Sequence, residues 1–182
     1  GRGELSNNEA VADLAHQLRR DSIRMIRHAG SGHIGGAMGA AEIFALLYTE
    51  VLQHRREEPN WKDRDRIVLS NGHICASWYA ALARAGYLPI EELATHRRIN
   101  SRLQGHPSRE KLPGLVDNSS GPLGQGLSVA NGIALSARLD QRPSRIYTIV
   151  GDGEIAEGQA WEAIMSAGHF QLSNLTMIIL AN

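Results

Sequence analysis

The chain has 182 residues, with 19 Lys plus Arg against 19 Asp plus Glu, so its formal charge at neutral pH is zero. That balance excludes a polybasic surface for nucleic acid or anionic membrane, and the length suits one domain able to bury its own core. A single cysteine, Cys75, excludes an internal disulfide and fits a reducing, cytoplasmic setting, while no stretch approaches the ~18 apolar residues of a membrane span and the first residues lack a signal-peptide pattern.

In chain order, Asn8 to His28 places Val11, Leu14, Leu18, Met25 and Ile26 at helical spacing, and Ser6 with Glu9 reads as a capping box before them. A glycine-rich break, Gly30 to Gly36, separates this helix from a second amphipathic run, Ala40 to Val51. Arg64 to Leu69 holds the short apolar run Ile67-Val68-Leu69, which predicts a strand. It is followed by a turn, Ser70-Asn71-Gly72-His73, and a helix over Ala76 to Ala85. Glu91 to His96 reads as a short helix. Asn100 to Ser120 is rich in Gly, Pro, Ser and Asn and reads as a long loop, of a length that is usually functional when it is ordered.

The last third alternates most clearly. Gly121-Pro122-Leu123-Gly124-Gln125-Gly126 opens a helix over Leu127 to Leu139, whose small residues Ala130, Gly132, Ala134 and Ala137 would let a neighbour pack closely. Ile146 to Val150 reads as a strand, Gly151-Asp152-Gly153 as a turn, Glu157 to Ala167 as a helix and Leu175 to Leu180 as a second strand. Both strands are expected to be buried on two faces, paired in parallel through a right-handed crossover. The fold class is therefore α/β, a parallel sheet flanked by helices. No composition shift divides the chain, so one domain over residues 1–182 is expected.

Ligands of such sheets sit outside the carboxyl ends of the strands, where the sequence puts Asp152 and Asn182. An aspartate supplies an anionic oxygen and an asparagine a neutral carbonyl oxygen, the ligand types that Mg²⁺ and Ca²⁺ favour. Gly153 would let backbone N–H approach a phosphate, with the positive end of the following helix aimed at the same place. A Gly-Asp-Gly turn alone is a common turn sequence. Its weight here comes from Asn182, thirty positions after Asp152, and from the other glycine-rich clusters.

Taken together, Gly151-Asp152-Gly153 with Asn182, Ser31-Gly32-His33, Ser70-Asn71-Gly72-His73, Gly105-His106-Pro107 and Gly121-Pro122-Leu123-Gly124-Gln125-Gly126 resemble the motifs of the transketolase family, in that family's order. The resemblance implies a thiamine-diphosphate-binding domain. It implies that Asp152 and Asn182 ligate the metal, that Gly153, Asn182, Gly121, Pro122 and Leu123 touch the cofactor, and that His73 contacts its diphosphate. His33 and His106 would face the sugar substrate, and Glu157 would belong to an acidic network at a subunit contact. Imidazoles that are neutral or poised near pH 7 suit the proton movements of ketose cleavage. His16, His28, His54, His96 and His169 read as surface or packing residues, and Trp61, Trp78 and Trp161 as core or interface anchors.

Two positions depart from the family pattern: Ile34 follows His33 where proline is usual, and Leu180 stands where an aspartate is common. In this family the aminopyrimidine of the cofactor is held by another domain, for which 182 residues leave no room. The expectation is thus an enzyme active only with a partner chain or domain, as the N-terminal subunit of a split transketolase or a truncated piece of a full-length one. The partner would be a separate C-terminal subunit carrying the pyrimidine-binding domain, in a dimer or heterotetramer that acts on sugar phosphates. Two other readings stay open: a different thiamine enzyme, such as a deoxyxylulose-phosphate synthase or a dehydrogenase alpha chain, and a non-catalytic scaffold that keeps the fold.

Overall fold

The three apolar runs read as strands pair with one another. β1 (Arg66–Leu69), β2 (Ile146–Gly151) and β3 (Leu175–Leu180) form a parallel sheet in the order β1-β2-β3, with Ile67 opposite Tyr147 and Tyr147 opposite Thr176. The computed structural model describes residues Arg2 to Ala181, and side-chain environments from Asn7. The chain forms two compact units, one made of residues 1–52 and 73–105, the other of residues 53–72 and 106–182.

The first unit is helical. It contains α1 (Arg2–Ala29), α2 (Ile34–Gly39), α3 (Ala41–Leu46), a π-helical turn (Leu47–Val51), α4 (Cys75–Arg84) and a 3-10 turn (Ile90–Thr95). At ~1.5 Å per residue α1 is about 42 Å long, and it packs against α3 and α4. Leu18, Met25, Phe44, Trp78 and Leu82 are buried between them. Residues Cys75 to Ala83 are all buried, as expected of a helix with neighbours on every side. The Phe44 and Trp78 rings stack at 6.3 Å, and the Trp78 indole N–H donates to the Tyr48 hydroxyl at 2.8 Å. The Arg84 fork holds the buried Asp21 carboxylate through Nε at 2.8 Å and Nη2 at 3.1 Å, so this buried charge is paired as it must be.

Two local expectations are corrected in this unit. Helical backbone already begins at Arg2, four residues before the expected cap Ser6, whose side chain lies outside the described residues; Glu4 and Leu5 are good helix formers. The run Ala40 to Val51 is not one continuous helix. Helical structure starts earlier, at Ile34 within the expected glycine break, is interrupted at Ala40, and widens into a π-turn over Leu47–Val51. Glycine permits the early start: a Cβ on Gly36 would collide with the Ile74 side chain, so a larger residue there would push α2 away from Ile74.

The second unit holds the sheet, with α5 (Gly126–Leu139) and α6 (Gly158–His169). Ala130, Ala134 and Ala137 of α5 pack with Val68, Ile146 and Leu172, the close approach that the small residues predicted. Asp65 fixes the start of β1, accepting from the Arg145 N–H at 2.7 Å and the Gln53 N–H at 2.9 Å. Asp117 ties the second half of the long loop to β1 by accepting from Arg64 at 2.7 and 3.0 Å and also from Arg66. The expected burial of both later strands holds for β2, buried from Ile146 to Val150. It fails for β3, where Thr176 and Ile179 are exposed. Among the described residues β3 pairs only with β2, so it is an edge strand and is covered less.

Candidate functional site

The Gly-Asp-Gly turn sits at the carboxyl end of the middle strand. Gly151, the last residue of β2, lies opposite Leu180 of β3, and the Asp152 N–H extends the ladder by donating to the Leu180 carbonyl at 3.0 Å. The chain thus leaves β2 beside the end of β3, the adjacency on which the cation argument rests. Asp152 is exposed, and its Oδ1 accepts from the Gly153 N–H at 2.8 Å. Asn182, the other expected ligand, lies outside the described residues. Among the described residues no group of three or more His, Cys, Asp or Glu side chains is placed to hold an ion.

The helix expected over Glu157 to Ala167 forms as α6, and a short turn separates it from Gly153. Gly153–Ala156 is one 3-10 turn, Glu157 is extended, and α6 starts at Gly158. Within the turn the side chain of Glu154 folds inward: its Oε2 accepts from the Gly151 N–H at 3.1 Å. Glu154 is only 3 % exposed. Its Oε1 accepts from the Ser70 hydroxyl and from the Gly124 N–H, the latter at 2.7 Å. Ser70 Oγ in turn accepts from the Gly126 N–H at 3.1 Å. Sequence reading missed this role for Glu154. An acid one residue beyond a Gly-Asp-Gly turn looks like any solvated turn residue, and only the donors gathered around it reveal otherwise.

Glycine is required where segments of this unit meet. Gly124 has φ +82°, and a Cβ there would stand 2.9 Å from the Glu157 Cβ. A Cβ on Gly72 would stand 2.6 Å from the Ser120 Cβ. The turn after β1, the Gly121–Gly126 stretch and the entry to α6 are therefore in backbone-level contact. Gln159 Nε2 adds a bond to the Leu123 carbonyl at 3.3 Å. Pro122, Leu123, His106, Gly153 and Glu157 are exposed, and the His106 ring lies beside Gly121, 4.0 Å from where a Cβ would be. Glu157 occupies the N-cap of α6 without capping it through its side chain.

In the first unit His33 and His73 come together, their ring centroids 5.0 Å apart at 62°. His33 is exposed at the N-cap of α2, and His73 lies half-buried in the 3-10 turn Gly72–Ile74. Burial pushes the Cys75 thiol up to about 12 and raises the Tyr79 hydroxyl as well, and burial lowers His96 to about 4. These groups turn to the carbonyls of Leu103, Gln104 and Gly105, which makes them packing residues. A cavity of about 560 Å³ between α1 and the Ile90–Thr95 turn is lined by Asp21, Arg24, Arg84 and Leu93, and by none of the candidate site residues. Of the three tryptophans, Trp78 is core, Trp61 is half-buried with the Arg55 guanidinium over its ring, and Trp161 is 55 % exposed.

Residues 10–182 match the family described as "Transketolase, thiamine diphosphate binding domain". The chain belongs to this transketolase family. Family members similar to it include the 6-deoxy-6-sulfo-D-fructose transketolase subunit of Clostridium sp. (strain MSTE9), 43 % identical over 171 residues, which cover 92 % of this chain and 62 % of that protein. The human transketolase is 39 % identical over 175 residues, 96 % of this chain and 28 % of the human protein. Among solved structures, the transketolase from Leishmania mexicana superposes with a TM-score of 0.88 at 39 % identity, covering 94 % of this chain and 27 % of that one. The chain thus spans 62 % of the Clostridium subunit and little more than a quarter of the full transketolases. Its parallel sheet flanked by helices is the α/β arrangement of the family's diphosphate-binding part. No helix among the described residues is long and apolar enough to cross a membrane.

Proposed function

We propose that residues 1–182 form the diphosphate-binding domain of a transketolase that transfers a two-carbon ketol unit from a ketose phosphate to an aldose, using thiamine diphosphate and a divalent cation, Mg²⁺ or Ca²⁺. The observation that carries the reading is the position of Asp152: an exposed carboxylate at the carboxyl end of a central parallel strand, bonded through its backbone to the end of the next strand. The donor chemistry fits. Mg²⁺ is commonly held by one or two carboxylates together with phosphate oxygens and not by a full protein cage, in keeping with a lone carboxylate here. A Cβ on Gly153 would meet no atom within 4 Å, so the backbone is open to a phosphate on that side.

On this reading Asp152 and Asn182 hold the cation, while Gly153, Asn182 and the stretch Gly121, Pro122 and Leu123 hold the cofactor. His73 donates to the diphosphate. When bound, thiamine diphosphate supplies the carbanion chemistry. His33 and His106 hold and move protons at the sugar hydroxyl and carbonyl oxygens, a task for which imidazoles are the commonest side chains. Glu157, exposed and beside Gly124, is assigned to the acidic network at a subunit contact. The pyrimidine-binding domain would come from a separate C-terminal chain, making a dimer or heterotetramer active only as the pair; the description of the Clostridium relative as a subunit supports this. The 43 % identity to that relative also favours testing 6-deoxy-6-sulfofructose beside the sugar phosphates as donor.

The test is calorimetric titration of thiamine diphosphate with Mg²⁺ into the full-length protein, together with any chain that copurifies with it. Asp152→Ala should weaken binding by more than the ~10–100-fold that losing a partner of a metal ligand costs, and the Mg²⁺ dependence should disappear. Unchanged affinity in the variant would refute the assignment. A wild-type protein that binds no cofactor would favour the scaffold reading.

A further inference from the structure

Among the described residues no basic side chain forms an ion pair with the buried carboxylate of Glu154. It is stabilised by three donors: the Ser70 hydroxyl, the Gly124 N–H at 2.7 Å and the Gly151 N–H at 3.1 Å. A carboxylate is the side-chain end that suits this arrangement, since it accepts at both oxygens and donates from neither. An unpaired charge at this depth would be costly, and the donors that offset the cost come from three separate segments.

Those segments flank the places assigned to the cofactor. Ser70 directly follows β1. Gly124 lies next to Leu123 and two residues before α5, and Gly151 directly precedes Asp152. Ser70 passes the link on, since its Oγ accepts from the Gly126 N–H at the first residue of α5. One carboxylate and one hydroxyl therefore join the end of β1, the end of β2 and the start of α5. Without them the Gly121–Leu123 stretch and the Asp152–Gly153 turn lose their shared anchor.

We propose that Glu154, acting with Ser70, is a positioning residue that fixes the Gly121–Leu123 stretch and the Asp152–Gly153 turn relative to each other and so sets affinity for the diphosphate. This rests on the function proposed above. Glu154 touches neither the cofactor nor the substrate; it acts by holding the segments that do, in the way that a rigid support around a site preserves its geometry.

The test compares wild type, Glu154→Gln and Ser70→Ala in the full-length protein with its partner chain. Glutamine keeps the volume of Glu154 but turns one acceptor oxygen into an NH₂ donor, leaving at least one of the three donors facing another donor. Each single variant should raise the Kd for thiamine diphosphate at saturating Mg²⁺ by ~10-fold or more, while the cofactor-free protein still folds and melts only several degrees lower, the cost of about one unsatisfied buried donor. The double variant should be no weaker than the worse single one, because both act through one link. In the activity assay the KM for thiamine diphosphate should rise while kcat at saturating cofactor is retained. A variant that melts lower but binds the cofactor as wild type does would overturn the proposal, as would a fall in kcat with KM unchanged. Should Glu154→Gln fail to fold, Ser70→Ala decides by the same criteria. If wild type binds and the variants bind equally well, only the positioning role falls; if wild type itself does not bind, the proposed function falls with it.

Discussion

Replacing His96 with asparagine should remove a defined part of the pH dependence of stability. His96 is 2 % exposed, its Nδ1 lies 3.2 Å from the Leu103 carbonyl, and its ring meets Tyr79 edge-on at 5.7 Å. Burial, opposed by the Leu103 bond and aided by the nearby Arg97 charge, lowers its pKa from 6.5 to about 4. Above pH 6.5 the imidazole is neutral in both folded and unfolded chains and contributes no slope. Between 6.5 and about 4 the unfolded chain binds a proton that the folded one refuses, so stability falls as the pH falls, and below about 4 the loss levels off. At ~1.36 kcal/mol per unit, the whole window amounts to no more than about 3.5 kcal/mol. Asparagine can still donate to the Leu103 carbonyl but does not titrate. Urea unfolding followed by circular dichroism from pH 7.5 to 4.5 should find the His96→Asn variant less stable than wild type by roughly 1–3 kcal/mol at the upper end, because the ring is lost. The gap should hold steady down to about pH 6.5 and narrow below it. A gap that stays constant across the range would show that His96 titrates normally in the fold and refute the argument.

Cys75, 1 % exposed with its thiol donating to the Gly105 carbonyl at 3.2 Å and its pKa raised to about 12, should hold about 1000-fold less thiolate than an ordinary cysteine. The native protein should therefore react with a disulfide reagent at pH 8 far more slowly than the protein in urea, and rapid stoichiometric labelling of the native state would contradict this. Gly126 and Gly132 both lie in α5 but should respond to alanine with opposite signs. A Cβ on Gly126 falls 2.6 Å from the Ser70 Cα and should cost about 1–3 kcal/mol, whereas one on Gly132 meets nothing within 4 Å and should gain roughly 0.5–1 kcal/mol of helix propensity; thermal melts of the two variants moving in the same direction would count against this packing.

The strand, turn and helix order was legible because burial leaves a periodic trace. The apolar runs at Ile67–Leu69, Ile146–Val150 and Leu175–Leu180 became strands, and the small residues of α5 became its packing face. The family, too, could be read from residues: four glycine-rich clusters in a fixed order and an aspartate at a strand end are features of composition and spacing. Local propensity was a poorer guide where several continuations compete. Ser6 sits inside a helix it could have capped, and the run Ala40 to Val51 breaks into separate turns. The exposure of β3 depends on what lies beside it, which no property of Leu175–Leu180 encodes.

From the amino-acid order alone came the chemistry that the chain can offer: an aspartate and glycines at the end of a parallel strand, histidines in loops, and a neutral overall charge. Only the tertiary structure decided which acid is buried and which meets solvent. Asp152 and Glu154 are two residues apart, yet one is exposed and the other is 3 % exposed. The difference is made by the Ser70 hydroxyl, 84 positions away in sequence, and the Gly124 N–H, 30 positions away. A carboxylate can leave water only where enough donors meet it, and those donors gather only once the sheet and α5 have formed.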